Sequence, residues 1–177
     1  MTDSKLPTEL LDSLRTQTGE MLSGLSRQSP VLVIFLRHCG CTFAREALDD
    51  IARHRLEIAL AGVAIVLVHM QTDDAARELF ARYKLDDLPR ISDPDQKLYQ
   101  AFELQRGSVW QVMGPANFLA GIRSLLKGNL AAVPSADIFQ LPGAFLIQDG
   151  RILNAFRGHT SSERPDYVAL AQCPRSN

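Results

Sequence analysis

The residues of this sequence best suited to covalent chemistry are its cysteines, two of which form the tripeptide Cys39-Gly40-Cys41. A cysteine thiolate is a nucleophile that can be reversibly oxidised and reduced. The sequence holds 3 cysteines, and an odd number does not build a structural disulfide framework. We therefore expect a reducing compartment, the cytoplasm. Cys173, near the C-terminus, is either an incidental tail residue or a resolving thiol for an oxidised Cys41.

The position of Cys41 favours a reactive thiol. The apolar run VLVIFLR at 31–37 is typical of a buried strand, and apolar residues recur with a helical period over 42–61. Cys41 is therefore expected where a strand turns into a helix, and the free N–H groups and dipole of the first helical turn stabilise a thiolate there. Arg37 and His38 add positive charge on the other side. The alternative is that Cys41 is a buried, inert apolar residue.

Residues 38–41 also allow other interpretations. A disulfide between Cys39 and Cys41 would close a small, strained ring, which suits an exchange centre better than a structural staple. Alternatively, Cys39 packs near the end of the strand. Zinc needs four ligands, and no second cluster of Cys or His accompanies this one, so we predict no metal site and no cofactor. The remaining histidines are scattered along the chain at His54, His69 and His159.

The order of predicted elements is βαβ, then αβα, then a long connection, then ββα. The final pair of strands flanks Asp149-Gly150, a strong hairpin signal. This order predicts an α/β fold of the thioredoxin-like kind, with a central mixed sheet flanked by helices and an inserted segment at about 105–141 before the C-terminal hairpin. We divide the chain into an N-terminal helical extension at 1–29 and this domain at 30–177. Shorter helices are predicted at 96–102 and 164–172.

Pro142 stands where the thioredoxin arrangement has a cis-proline, just before the third central strand and facing the cysteine at the helix start. We therefore predict a cis bond between Leu141 and Pro142. Arg157 and His159 follow the hairpin, where they lie either near the same crevice or, as we favour, in a solvated loop.

Composition excludes several classes of partner. The formal net charge is −1 and the charges are mixed along the chain, so nucleic acid is not an expected partner. The longest apolar runs, at 31–36 and 63–68, are too short to span a bilayer, and the N-terminus lacks the pattern of a secretory signal, so no membrane association is expected.

Three segments resemble the AhpC/TSA antioxidant-enzyme family, the peroxiredoxin-like proteins related to selenoprotein L. They are FLRHCGCTFAREALDDIA, SDPDQKLYQAFELQRGS and LPGAFLIQDGRILNAFRGHTSSERPDY, and the resemblance runs from about residue 30 to 171. It implies a thioredoxin-like fold, a peroxide or disulfide substrate, and thioredoxin or another small thiol as the reductant. Whether the chain forms a homodimer is left open.

One position departs from the family pattern. The family commonly has Cys-x-x-Cys here, with its first cysteine at Cys41, but the second position holds Ala44. Two functions therefore stay open at this point: a thiol-dependent oxidoreductase or peroxidase that uses Cys41, and a redox-inactive or regulatory thioredoxin-fold binding module.

Overall fold

Five strands and the helices around them make up the computed structural model, which describes residues 6–38, 41–108 and 137–172. The strands are β1 Val31–Phe35, β2 Ala64–His69, β3 Arg90–Ser92, β4 Gly143–Gln148 and β5 Arg151–Arg157. The helices in the described ranges are α1 Thr8–Ser13, α2 Leu22–Gln28, α3 Thr42–Leu60, α4 Asp73–Arg82, α5 Lys97–Ala101 and α6 Tyr167–Ala171.

The strands form one mixed sheet in the order β3-β2-β1-β4-β5. β1 is parallel to β2, and their last registered pair is Phe35 with Val68. β1 is antiparallel to β4, so that Phe35 also lies opposite Gly143. The carboxyl ends of β1 and β2 and the start of β4 therefore meet at one edge of the sheet, the edge at which α/β proteins bind ligands. The predicted mixed sheet flanked by helices is confirmed.

Helices cover both faces of the sheet. One core contains Leu48 of α3 and Phe80 of α4, together with residues of α6, and the other contains Leu22 of α2 and Tyr99 of α5. Successive residues of β1 enter opposite cores, which is why this strand is apolar throughout. The predicted N-terminal extension contributes α1 and α2 to the second core, while its boundary at residue 29 stays a prediction.

The predicted elements are present, and some of their ends differ. α3 ends one residue earlier than predicted, and α5 is one residue shorter at each end. α6 begins later than predicted, because Pro165 cannot donate an N–H and Asp166 caps the helix by accepting the N–H of Ala169 at 3.0 Å. No helix within the described ranges is both long and apolar enough to cross a membrane.

The hairpin of β4 and β5 turns at the predicted dipeptide. Asp149 has a φ of 48° and Gly150 a φ of 75°, and left-handed backbone at both central positions is what a two-residue hairpin turn requires. The strong Asp-Gly signal thus identified this connection correctly.

The predicted insertion at 105–141 falls largely outside the described residues. Its two ends are described and lie side by side, since the N–H of Gly107 donates to the carbonyl of Phe139 at 2.7 Å and the N–H of Leu141 donates to that of Gln105 at 3.2 Å. The segment before β4 is therefore anchored to the segment after α5.

β2 ends on a buried histidine. His69 is 0% exposed, and the centroid of its ring is 5.3 Å from that of Phe80. Burial lowers the pKa of His69 to about 4; the positive charge of Arg90 adds to this effect, and the carboxylate of Asp73 opposes it. The ring is therefore neutral in the folded protein at pH 7.

This burial predicts a loss of stability in mild acid. As the pH falls from about 6.5 to about 4, His69 takes up a proton in the unfolded chain before it does so in the folded one, so the free energy of unfolding decreases by about 1–2 kcal/mol between pH 7 and pH 5. His69→Gln should remove this part of the decrease, measured by denaturant unfolding at both pH values. His54→Gln is the matched control, because the side chain of His54 is 48% exposed. An equal pH dependence in the wild type and His69→Gln would contradict the prediction.

Candidate functional site

Cys41 is the N-cap residue of α3, the 19-residue helix that follows β1. Its backbone is extended, with φ −77° and ψ 133°, its N–H donates to the carbonyl of His38 at 2.9 Å, and its carbonyl accepts the N–H of Arg45. The residue is 8% exposed. The sequence therefore placed Cys41 correctly between the strand and the first helical turn, where the helix dipole favours negative charge.

A buried arginine donates a hydrogen bond to the sulfur of Cys41. Arg37 is 4% exposed, and its Nη1 donates to Sγ of Cys41 at 2.7 Å. Its Nε donates to the carbonyl of Gln140 at 3.1 Å, and its Nη2 donates to the carbonyl of Ile138. Three donors of one guanidinium thus join the cysteine to the chain segment just before β4.

The buried guanidinium of Arg37 is compensated by the groups around it. Burial lowers the pKa of Arg37 below its ordinary value, and its electrostatic interactions with Cys41 and Asp137 and its hydrogen bond to Cys41 oppose that effect. A guanidinium keeps its proton in proteins, so the buried cation needs an anion beside it. The sulfur within hydrogen-bond reach is well placed to be that anion, because hydrogen bonds donated to a charged group stabilise it.

His38 supplies no charge at neutral pH. It is 6% exposed, and burial together with the positive charge of Arg37 lowers its pKa to about 4. Of the two basic residues that the sequence suggested as stabilisers of the Cys41 thiolate, only Arg37 is positively charged at pH 7. The expectation for His38 is corrected on this point, because a cation beside it and little water around it disfavour its protonation.

Asp137 is a carboxylate near this site, and it is paired with another cation. Burial raises the pKa of Asp137, but hydrogen bonds from Arg106 and from the N–H of Phe139 outweigh that effect and hold it below the ordinary value. Its Oδ2 lies 2.7 Å from Nε of Arg106. Asp137 therefore acts on Arg37 only through its charge, and the sulfur is the partner other than main-chain carbonyls to which Arg37 is hydrogen-bonded.

A small apolar cavity of about 20 Å³ lies beside Arg37 and includes Ala44, the position at which the resemblance implies a second cysteine. Ala44, on the first turn of α3, is 3% exposed and contributes to its wall, as do Pro142 and Gly143 at the start of β4. Its other lining residues come from the end of β1 and the residue after it, from α3 and β5, and from the chain leading into α6 and the first residue of that helix: Phe35, Leu36, Phe43, Ala47, Phe156, Ser161, Glu163, Arg164, Pro165 and Tyr167.

The predicted cis bond before Pro142 is wrong. All described peptide bonds are trans. On one side the N–H of Leu141 is bonded to Gln105, and on the other the carbonyl of Pro142 accepts the N–H of Gly158 at 2.9 Å, so the backbone is paired on both sides in the favoured isomer. The predicted place of Pro142, just before a central strand at the site, is nevertheless where it lies.

Arg157 is not brought to the cysteine, and the solvated loop we favoured for it is wrong, because it belongs to a strand. It closes β5, where its guanidinium carbon lies 4.9 Å from the centroid of Phe145 and its Nε donates to the carbonyl of Phe102 at 3.3 Å. Phe102 and Phe145 both belong to the core on the face of the sheet opposite α3. Cys39 and Cys173 lie outside the described residues, so their roles stay predictions.

Sequence reasoning missed the residues that support Arg37 from a distance. Gln140 is 2% exposed and offers its carbonyl to Arg37, while its amide nitrogen lies 3.3 Å from the carbonyls of Gln105 and Leu141. The sequence signal that could have identified Gln140 is its place directly before the Leu-Pro-Gly segment that leads into β4.

The family follows from the sequence match. Residues 50–160, more than half of the chain, match the family model described as AhpC/TSA antioxidant enzyme. This chain belongs to the AhpC/TSA antioxidant enzyme family. The matched residues begin after Cys41, so the role of that cysteine in this family member rests on the geometry above. No curated protein sequence matches the chain.

Solved structures share the fold of this AhpC/TSA protein at low sequence identity. A bacterioferritin comigratory protein from Xanthomonas campestris has a TM-score of 0.62 at 17% identity, covering 86% of this chain and 85% of its own. The peroxidoxin BcpB from Mycobacterium tuberculosis has a TM-score of 0.62 at 19% identity, covering 96% and 95%. A putative thiol:disulfide interchange protein DsbE from Chlorobium tepidum has a TM-score of 0.59 at 19% identity, covering 95% and 91%. The predicted thioredoxin-like fold is confirmed.

The contact between Arg37 and Cys41 predicts how fast the thiol reacts. In a background with Cys39 and Cys173 replaced by serine, Arg37→Met should slow alkylation of Cys41 by iodoacetamide at pH 7 about tenfold, because a neighbouring cation favours the ionised form of an acid by one or more orders of magnitude. The two rates should converge at high pH, where the thiol ionises in both proteins. Arg53→Met is the control, since the side chain of Arg53 is 61% exposed. Equal rates at pH 7 for Arg37→Met and its parent would contradict the prediction.

Proposed function

We propose that this AhpC/TSA family member is a thiol-dependent peroxide reductase in which Cys41 is the nucleophile. The observation that carries the proposal is the 2.7 Å contact from the buried guanidinium of Arg37 to the sulfur of Cys41, at the N-terminus of a long helix. Both features stabilise a thiolate, and the thiolate is the form of cysteine that attacks peroxides and disulfides.

The proposed reaction begins with a peroxide, ROOH. The thiolate of Cys41 attacks the terminal oxygen; an S–O bond forms as the O–O bond breaks, and the alkoxide that leaves takes a proton to give ROH. Cys41 is now a sulfenic acid, which a thiol attacks to form a disulfide and release water. A second thiol reduces that disulfide, which returns the Cys41 thiolate and yields the oxidised reductant.

Burial and Ala44 support a peroxide over a protein disulfide as the substrate. Cys41 is 8% exposed, which admits a small oxidant more readily than a folded protein. Exchange through a Cys-x-x-Cys pair needs a second thiol one helical turn onward, where this chain has Ala44. The fold neighbour from Xanthomonas campestris is described by its alkyl peroxide reduction activity.

The reductant is proposed to be thioredoxin or another small thiol. With Ala44 in the second position, the thiol that resolves the sulfenic acid is Cys39, Cys173 or the external reductant itself. We infer a cytoplasmic location from the odd number of cysteines, for which a reducing compartment is suitable.

A redox-inactive binding module is the second candidate. Ala44 and the low exposure of Cys41 favour it, since a chain that has lost turnover can keep the fold and the apolar cavity. The two candidates differ in whether Cys41 is oxidised and reduced in a cycle.

Peroxide consumption tests the proposed function. The wild type should consume cumene hydroperoxide and hydrogen peroxide with either thioredoxin and its reductase or dithiothreitol, and Cys41→Ser should lose this activity to the level of the uncatalysed reaction, because the serine hydroxyl is not ionised at neutral pH. Cys173→Ser and Cys39→Ser are the matched controls, and loss of turnover in one of them would identify the resolving thiol.

Mass spectrometry after one equivalent of peroxide separates the candidates. A sulfenic acid or a disulfide that includes Cys41 supports the reductase. An unmodified Cys41, with peroxide consumption equal in the wild type and Cys41→Ser, overturns it in favour of the binding module.

Restoring the family cysteine should create a dithiol pair. Residues three apart in a helix have Cα atoms about 5 Å apart, which lies within the range of Cα separations that a disulfide spans. In the background without Cys39 and Cys173, Ala44→Cys should therefore form an intramolecular disulfide under mild oxidation and gain the ability to reduce a small disulfide such as hydroxyethyl disulfide. Ala47→Cys, also on α3 but on another turn, is the control and should do neither. A free thiol pair in oxidised Ala44→Cys would show that the helix start does not place residues 41 and 44 as described.

A further inference from the structure

A buried tyrosine hydroxyl lies at the point where β1 ends. Tyr99 is 0% exposed, and its hydroxyl donates to the carbonyl of Leu36 at 2.6 Å, with the carbonyl of Val68 at 3.2 Å as a second, longer contact. Leu36 directly precedes Arg37. The phenol therefore contacts the peptide that carries the arginine of the proposed site.

The hydrogen bond from Tyr99 to Leu36 lies just beyond the last registered residue pair of β1 and β2. The last registered pair of β1 and β2 is Phe35 with Val68, and the N–H of Leu36 donates to the carbonyl of Val68 at 2.9 Å. Beyond that point a buried carbonyl needs a donor from another element, because an unpaired one is costly. Tyr99 supplies this donor from the face of the sheet opposite α3.

The position of Tyr99 is itself fixed at the start of α5. The carboxylate of Asp93 accepts the N–H groups of Lys97 at 3.0 Å and of Leu98 at 2.8 Å. The N–H of Asp93 donates to the carbonyl of His69, at the end of β2, at 2.8 Å. The start of α5 is thus hydrogen-bonded, through Asp93, to the same edge of the sheet that Tyr99 contacts.

Packing also restrains the ring. The centroid of Tyr99 lies 5.1 Å from that of Phe35 in an edge-to-face arrangement, which aromatic pairs favour. Phe35 also packs against Phe102 and Phe145. The hydroxyl therefore reaches Leu36 from a ring with little freedom to move.

We propose that Tyr99 is a positioning residue that sets the orientation of the Leu36–Arg37 peptide and thereby the contact from Arg37 to Cys41. Gln140 and Ile138 hold the far end of the same guanidinium, so the arginine is fixed from its backbone on one side and from its tip on the other. The proposal deepens the proposed function, because it concerns the reactivity of the same thiol. It also gives a role to the segment around Asp93 and Tyr99, in which the sequence predicted a short helix but no contribution to the site.

Tyr99→Phe tests the role by removing one hydroxyl. In the background without Cys39 and Cys173, alkylation of Cys41 at pH 6 to 7 should slow about three- to tenfold, the range expected for loss of one buried hydrogen bond. The rates should converge with those of the parent at high pH. The control is Ile58→Val, which removes a buried methylene far along α3; it should lower the melting temperature without changing the alkylation profile.

A double variant separates positioning from general destabilisation. If Tyr99 acts through Arg37, then Arg37→Met combined with Tyr99→Phe should react no more slowly than Arg37→Met alone. Additive slowing in the double variant, or an unchanged pH profile in Tyr99→Phe with a lowered melting temperature, overturns the proposal and assigns Tyr99 a structural role.

A readout independent of reactivity keeps the test separate from the proposed function. The side-chain Nε–H of Arg37, assigned by its loss in Arg37→Met, should be slow to exchange with water in the wild type and fast in Tyr99→Phe, as measured by NMR. Slow exchange in both proteins overturns the positioning role. If Tyr99→Phe speeds this exchange but the wild-type Cys41 is never oxidised by peroxide, the positioning role stands and the peroxide reductase fails.

Discussion

The structure around the site depends on one buried positive charge. Arg37 is 4% exposed, and a guanidinium in such surroundings must be surrounded by acceptors. Two main-chain carbonyls and the sulfur of Cys41 meet that requirement, and each comes from a different stretch of the fold than the strand that delivers the arginine. Chain segments more than a hundred residues apart are thus held together, because the buried cation needs hydrogen-bond acceptors from both of them.

At one edge of the mixed sheet, elements packed on its two opposite faces both reach the site. α3 brings the sulfur from one face, while α5 supports the end of β1 from the other through Tyr99. β4 begins at the same edge, because it is antiparallel to β1, and the residues leading into it supply the carbonyls. The site is therefore a property of the strand order rather than of a single loop.

The local sequence pattern was sufficient to predict where Cys41 lies in the fold. The apolar run of β1 and the helical period of α3 bracket that residue, and neither depends on distant contacts. Gln140 could not be found this way, because it contacts Arg37 across a separation of 103 residues. The isomer of Pro142 was missed for the same reason, since partners on both sides of it, at Gln105 and Gly158, come from other parts of the chain. The neutral state of His38 likewise follows from burial that only the fold creates.

The pairing of Gly107 with Phe139 has a consequence for how this chain can change. The N–H of Gly107 donates to the carbonyl of Phe139, so the described residues on either side of the intervening stretch lie next to each other. Closing a longer or shorter loop between fixed ends changes the free energy little, because the cost grows with the logarithm of loop length. The pairing therefore keeps the segment that carries Ile138 and Gln140 next to the end of α5 when the length of the connection changes.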